Sequence, residues 1–177
     1  MVKETRTNAD IEEGLTGYSR EQILVLVNIY KPPNIPAVPG LEGLIGRCSK
    51  PLEKQLTSTD VRKDQCRLSM DKDHVRKHLM PLLKEGERTH EGIDVVTYDK
   101  YGKGFDMVFK VWPSGCVNVL IKGWKAFFQE HKLQEHRDFV TVWMFGRRDN
   151  DKLCFAITWR TLPINKPLDV VKKPKKK

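Results

Sequence analysis

The side chains of this chain that could do chemistry fall into a few groups, and each group tests one kind of site. His74 and His78 stand four residues apart, which would put both imidazoles on one face of a helix, where a metal ion could meet them. The segment reads His-Val-Arg-Lys-His, without the glutamate that follows the first histidine of a zinc protease, and Arg76 and Lys77 would repel a cation. Two surface histidines are the plainer expectation. His90, His131 and His136 lie in or beside polar loops with no obvious partners. Gly102 and Gly104 give Gly-x-Gly, but the third glycine is missing, and a strand pattern follows where phosphate binding needs a helix N-terminus. A hairpin turn is expected there. Glu85, Glu87 and Glu91 read as a solvated acidic loop. Cys48, Cys66, Cys116 and Cys154 include no Cys-x-x-Cys pair, so neither a zinc ribbon nor a finger is expected and the thiols read as free. The expectation is a protein that is not an enzyme and holds no metal or cofactor.

Basic groups remain. Arg62, Lys63 and Arg67 surround Asp64, Gln65 and Cys66. Gln65 can both donate and accept, and arginine carries a planar fork suited to guanine edges or phosphate. A second loop, Trp112-Pro113-Ser114-Gly115-Cys116-Val117-Asn118, is flanked by Lys110 and Lys122, and its small residues would let a backbone approach a groove closely. From spacing alone both are also ordinary loops. The 177 residues hold 32 Lys+Arg against 23 Asp+Glu, a net charge of +9. Residues 1–49 sum to −1, residues 50–165 to +5 and residues 166–177 to +5. An acidic partner such as nucleic acid fits this balance, and so does a soluble protein with a charged tail. No apolar run approaches the roughly 20 residues of a membrane span, and the polar start lacks the apolar core of a secretory signal.

The elements that would position these groups follow from pattern. Ser19-Arg20-Glu21-Gln22 has the form of a capping box, predicting a short helix over about 20–30 that Pro32 and Pro33 stop. Residues 31–49 are rich in proline and glycine and read as a linker. Pro33, Pro36 and Pro39 fit the P-x-x-P spacing of a groove ligand, which short proline-rich linkers also carry by accident. Strands are expected at 67–70, 92–98, 105–112, 117–121, 139–145 and 153–159, and helices at 74–83 and 123–131. Phe105, Met107, Phe109 and Val111 alternate with polar residues, the period of a half-buried strand. Short strands with two short helices predict a small, mostly β barrel.

Certain residues carry a resemblance. Thr57-Ser58-Thr59-Asp60-Val61, followed by Arg67-Leu68, Lys72 and an apolar helix, resembles the opening of the plant B3 DNA-binding domain. Phe109-Lys110-Val111-Trp112, then Val119-Leu120-Ile121-Lys122-Gly123-Trp124-Lys125-Ala126-Phe127, is similar to its most recognisable segment. The run Leu82 to Glu87, Leu-Leu-Lys-Glu-Gly-Glu, resembles a large, little-studied plant subgroup. The likeness covers roughly residues 54–160. It implies a seven-stranded open pseudobarrel with two short helices that grips the DNA major groove with two arms. The N-arm would correspond to Arg62, Lys63, Gln65, Cys66 and Arg67, on to Ser69 and Lys72. The C-arm would be Trp112, Pro113, Ser114, Gly115, Cys116 and Asn118, with Lys122 matching the lysine of the Lys-Gly-Trp motif. Departures include Arg62-Lys63 where Gly-Lys is usual, Cys66 with one extra loop residue where Asn is frequent, and Asp71 in place of proline.

The resulting expectation has three parts. Residues 1–49 form a flexible leader with a short helix, 50–162 a B3-like domain, and 163–177 a flexible basic tail. Double-stranded DNA is the expected partner, with Gln65, Ser114 and Asn118 toward base edges and the basic residues toward phosphate. The alternative is a protein-interaction module on the same scaffold. Lys172, Lys173, Lys175, Lys176 and Lys177 read as a nuclear import signal for an import receptor, or as a nonspecific basic tail, so transcription regulation in the nucleus is the expected role.

Overall fold

The computed structural model describes residues 17–113 and 117–172. Helix α1 (Arg20–Ile29) opens with the expected capping box: Ser19 Oγ accepts from the Gln22 amide at 3.1 Å, and Ser19 N donates to Gln22 Oε1 at 2.9 Å. Two short strands follow, β1 (Ile45–Cys48) and β2 (Leu52–Gln55), and then β3 (Arg67–Met70). Helix α2 (residues 72–82) is capped by Asp71, whose carboxylate accepts from the His74 amide at 2.9 Å, and it passes through a π turn into a final 3₁₀ turn at Pro81. Next come β4 (Ile93–Tyr98), β5 (Gly104–Trp112), β6 (Val117–Ile121) and helix α3 (Trp124–Glu130). Strands β7 (Asp138–Arg147) and β8 (Leu153–Thr161) and helix α4 (Leu168–Lys172) complete the described chain.

The strands run in the order β1-β7-β8-β4-β5-β6-β3, with β2 also on β7. Among the described strands, only the β4–β8 pairing is parallel. Strands β1 and β2 share one edge of β7 and behave as one strand broken at Pro51, which has no N–H for the ladder. Ser49 bridges the break: its amide donates to Met144 O at 2.7 Å, and its hydroxyl accepts from Met144 N at 2.9 Å. The sheet is therefore mostly β, open and curled, and counted this way it has the seven strands expected.

The sheet curls around a core in which Leu68, Phe109, Trp124, Phe127, Val142, Phe155 and Ile157 are each 2 % exposed or less, while Val119 and Phe139 are equally buried but lie outside that cluster. Burying side chains of this size removes on the order of 1.5–3 kcal/mol each of unfavourable hydration. Strand β7 is buried on both faces, which is why Phe139 to Phe145 are apolar at every position but Thr141 instead of alternating.

Two expectations are corrected here. Residues 31–49 do not behave as a spacer. Val38, Leu41 and Ile45 pack on Trp143, Phe145, Cys154 and Ala156, and Trp143 Nε1 donates to Pro33 O at 2.9 Å. The apolar outer face of β7–β8 needed a cover, and this segment supplies it. The stretch after 162 is also not a free tail as far as Lys172, because Ile164 and Val171 join Ile23, Phe139 and Leu162 in a third cluster. Arg160 donates to Leu26 O and Val27 O at 2.8 Å each, satisfying carbonyls at the end of α1, while Arg20 does the same for Val171 and Lys172 at the end of α4.

Candidate nucleic-acid interface

The two expected arms leave neighbouring strands. Residues 56–66 join β2 to β3, and residues 113–116 join β5 to β6. Strand β6 pairs with both β3 and β5. On its register, Arg67 stands opposite Ile121, Ser69 and Lys110 opposite Val119, and Trp112 opposite Val117. These partners alternate along β6, so Arg67, Ser69, Lys110 and Trp112 share one outer face. Arg67 lies across that face with its guanidinium 5.1 Å from the Trp112 ring centre, and its Nε donates to Gln65 Oε1 at 3.1 Å. One cation thus links residues of both arms.

The root of the N-arm is organised by Asp60, which sequence reading did not place among the site residues. It is 1 % exposed. Its carboxylate accepts from the Thr57 amide and hydroxyl, from Ser69 N and Oγ, and from Lys54 Nζ at 2.9 Å. Lys54 Nζ also donates to Ser69 O at 2.6 Å and Ser69 Oγ at 2.8 Å. Strands β2 and β3 are the open ends of the sheet and share no ladder, so Lys54 clasps the gap between them. Burial lowers the Lys54 ammonium pKa, and the Asp60 carboxylate opposes that shift. The signal available in sequence was Thr57-x-x-Asp60, the spacing of a side chain that folds back on its own turn.

Past Asp60 the arm turns on Arg62 O, which accepts from Gln65 N and Cys66 N at 3.3 Å each. Cys66 takes φ +50°, a left-handed conformation that closes the turn into β3. Arg62 makes a two-bond pair with Asp64, Nε–Oδ1 at 3.1 Å and Nη2–Oδ2 at 2.9 Å. The Arg62 hydrogen bonds hold the exposed Asp64 carboxyl below the usual carboxylate range. Lys63, Lys72 and Lys122 are exposed and have no ion-pair partner among the described residues. Ser69 is engaged by Lys54 and Asp60.

In the C-arm, Trp112 is half-buried and Pro113 is exposed, while Ser114, Gly115 and Cys116 lie outside the described residues. Asn118 does not face outward. Its register sets it opposite Met70 and Val111 on the inner face, where it is 6 % exposed. The Lys-Gly-Trp turn also works differently from a simple glycine turn. Lys122 carries the left-handed φ of +70°, whereas a Cβ on Gly123 would lie 2.1 Å from Asp106 O. Gly123 is needed for close approach of α3 to β5.

The comparisons with known proteins extend this picture. The family model described as B3 domain-containing protein At2g31720-like matches residues 47–161. The chain belongs to the B3 domain family. The B3 domain-containing protein At4g03170 of Arabidopsis thaliana is 46% identical over 109 residues, covering 62% of this chain and 44% of that protein. B3 domain-containing protein At1g20600 of the same plant is 34% identical over 125 residues, covering 70% and 53%. The AP2/ERF and B3 domain-containing transcription factor At1g50680, also from Arabidopsis thaliana, is 29% identical over 143 residues, covering 75% and 42%. The chain thus spans about half the length of the curated relatives it matches. Among solved structures, the Arabidopsis FUS3-DNA complex aligns with a TM-score of 0.45 at 20% identity, covering 62% of this chain and 95% of that one.

Of the proposed import residues, this B3 domain shows Lys172 at the exposed end of α4, its carbonyl accepting from Arg20 at 2.6 Å. Lys173, Lys175, Lys176 and Lys177 lie outside the described residues. Among the described residues, no helix is long and apolar enough to cross a membrane.

Proposed function

We propose that this B3 domain binds double-stranded DNA in a sequence-specific way, with both arms in the major groove, and regulates transcription in the nucleus. The observation that carries the reading is the placement of Arg67 over Trp112, which brings the two arm roots together on one face; Lys63 in the N-arm, Lys72 after β3 and Lys122 after β6 are exposed, with no ion-pair partner among the described residues. Those three lysines and Arg67 meet phosphate. Gln65, whose carbonyl is taken by Arg67, offers its amide NH₂ to a base edge, and Ser114 at the C-arm tip is the second base reader. The buried Asn118 holds the C-arm root instead. The lysines from Lys172 onward recruit an import receptor. The role is that of a binding protein, not an enzyme.

Site selection from random duplex DNA, followed by affinity measurement across a salt series, tests this. Four phosphate contacts give a log–log slope of about −3.6. A flat salt response, or no enriched site, would sink the proposal.

A second reading is a protein-interaction module on the same scaffold. It is favoured by one observation: Asp64 already satisfies Arg62 with two hydrogen bonds, which removes one cation from a DNA-facing loop. Partner capture that survives Lys63→Ala and Arg67→Ala, with no DNA shift at low salt, would select this reading.

A further inference from the structure

We propose that Asp99, Glu130 and His131 form a divalent-metal site, suited to Zn²⁺, that ties the β4–β5 turn to the end of α3. The site does not depend on the DNA-binding reading. One donor oxygen or nitrogen from each of the three residues lies within 4.8 Å of the others.

The observation that points to a ligand is His131. Its side chain is 10 % exposed and is walled by Trp159, Phe127, Phe105 and Tyr101, with ring centres 4.3, 5.0, 6.1 and 6.2 Å away. Its Nε2 is sealed from water and makes no hydrogen bond. Asp99 Oδ2 is only 3.0 Å from Nε2, close enough for an ion pair but out of line for a hydrogen bond from the ring. Glu130 Oε2 is 3.7 Å from the same nitrogen. A tetrahedral zinc ion with N and O ligands at about 2.0–2.2 Å separates neighbouring donors by about 3.3 Å. The two observed separations fall on either side of that value.

The carboxylates are already oriented. Asp99 is 1 % exposed, and its other oxygen accepts from the Tyr101 and Lys103 amides at 2.9 Å each. Glu130 Oε1 is held by Lys103 Nζ, which leaves Oε2 free for an ion. Outer contacts of this kind fix ligand direction and tune affinity. The other nearby cation, Lys100 Nζ, sits 4.3 Å from the Trp159 ring centre and 5.4 Å from that of Tyr101. Glu130 is 41 % exposed, so an ion can enter from solvent and keep water in its fourth position. One imidazole with two carboxylates suits zinc better than magnesium or calcium, which favour all-oxygen sets. The Asp99–Lys103 turn lies at the opposite end of β5 from Trp112, so the ion would brace the scaffold away from the arms.

The test is titration of the full chain with ZnCl₂, read by calorimetry and by melting temperature, together with Co²⁺ absorption. We expect one saturable equivalent, a raised melting temperature and a Co²⁺ spectrum without thiolate charge transfer. Glu130→Gln, at a partly exposed position, is expected to fold and to weaken binding about tenfold or more. His131→Asn should abolish it. An unchanged melting temperature would mean that His131 and Asp99 are an ordinary ion pair and would overturn the proposal. Binding that ignores Glu130→Gln, or a Co²⁺–thiolate spectrum showing cysteine ligation, would overturn it equally.

Discussion

The indole nitrogen of Trp124 donates to the main-chain carbonyl of Asp60 at 2.6 Å, inside the core. Helix α3 thereby holds the residue whose side chain organises the N-arm root. The Lys-Gly-Trp motif and the Thr-x-x-Asp turn, far apart in sequence, are two halves of one fixture.

Replacing Trp124 with Phe keeps most of the packing against Phe127 and Phe128 but removes the donor. A buried carbonyl left without its partner costs about 1–3 kcal/mol. Urea unfolding should show a loss in that range. DNA affinity should fall further than Phe128→Leu lowers it, because the arm root is loosened as well.

Asp60→Asn leaves the Lys54 ammonium, whose side chain is 19% exposed, without its counter-charge. Breaking such a pair on one side is expected to cost about 3 kcal/mol. Adding Lys54→Met to the same chain should recover part of that loss, since no buried charge then remains. Equal stability of the single and double variants would show that relieving the unpaired charge is worth no more than the Lys54–Ser69 hydrogen bonds lost with it.

Asp64→Asn should strengthen DNA binding. The change releases Arg62 from its two-bond pair and removes a negative charge from the arm. One further phosphate contact would steepen the log–log salt slope by about 0.9. An unchanged slope with unchanged affinity would mean that Arg62 does not reach the backbone.

Burial pushes the Cys48 and Cys154 thiols up to about 11. At pH 8 about one thiol in a thousand is then ionised, and only the thiolate reacts with iodoacetamide. Labelling of both, followed by mass spectrometry, should rise about tenfold per pH unit and level off near the raised value. Because these pKa values lie above the unfolded value near 9, the stabilisation they represent is complete below pH 9 and is lost as pH climbs toward 11.

Gly123→Ala should destabilise the domain by about 1–3 kcal/mol, because the new Cβ would meet Asp106 O at 2.1 Å and the backbone must move. Lys122→Gly in the same turn relieves a left-handed conformation and should be neutral or stabilising, while removing one expected phosphate contact. Thermal melts of the two variants separate close approach from backbone strain.

Much of the fold was legible because β3 to β8 announce themselves by alternation or by apolar runs between turns. Strands β1 and β2 were hidden. Leu52-Glu53-Lys54-Gln55 is half-buried at every position on an open edge, so it carries no period of two, and β1 follows a proline- and glycine-rich stretch that mimics a linker. Helix α4 was hidden by its length, since five residues with only Val171 buried show no apolar periodicity. In the site, the basic residues were visible by type, but their engagements were not. Asp60, Lys54 and Ser69 meet because two sheet ends approach in space, and Asn118 faces inward by register, which the loop's composition did not reveal. His131 read as partnerless because Asp99, Tyr101, Phe105 and Trp159, which surround it, come from other elements.

The pairing of β1 and β2 with β7 also dictates a timetable. Leu52 must wait for Val142, roughly 90 residues later in the chain. At about 5–20 residues per second on a ribosome, the first two strands emerge several seconds before their partner exists. During that interval their ladder groups, and the apolar residues Val38, Leu41 and Ile45, have nothing of this sheet to cover them. This edge must therefore assemble after β7 has emerged, and a nascent chain halted before β7 should be protease-sensitive and prone to associate with other unfinished copies.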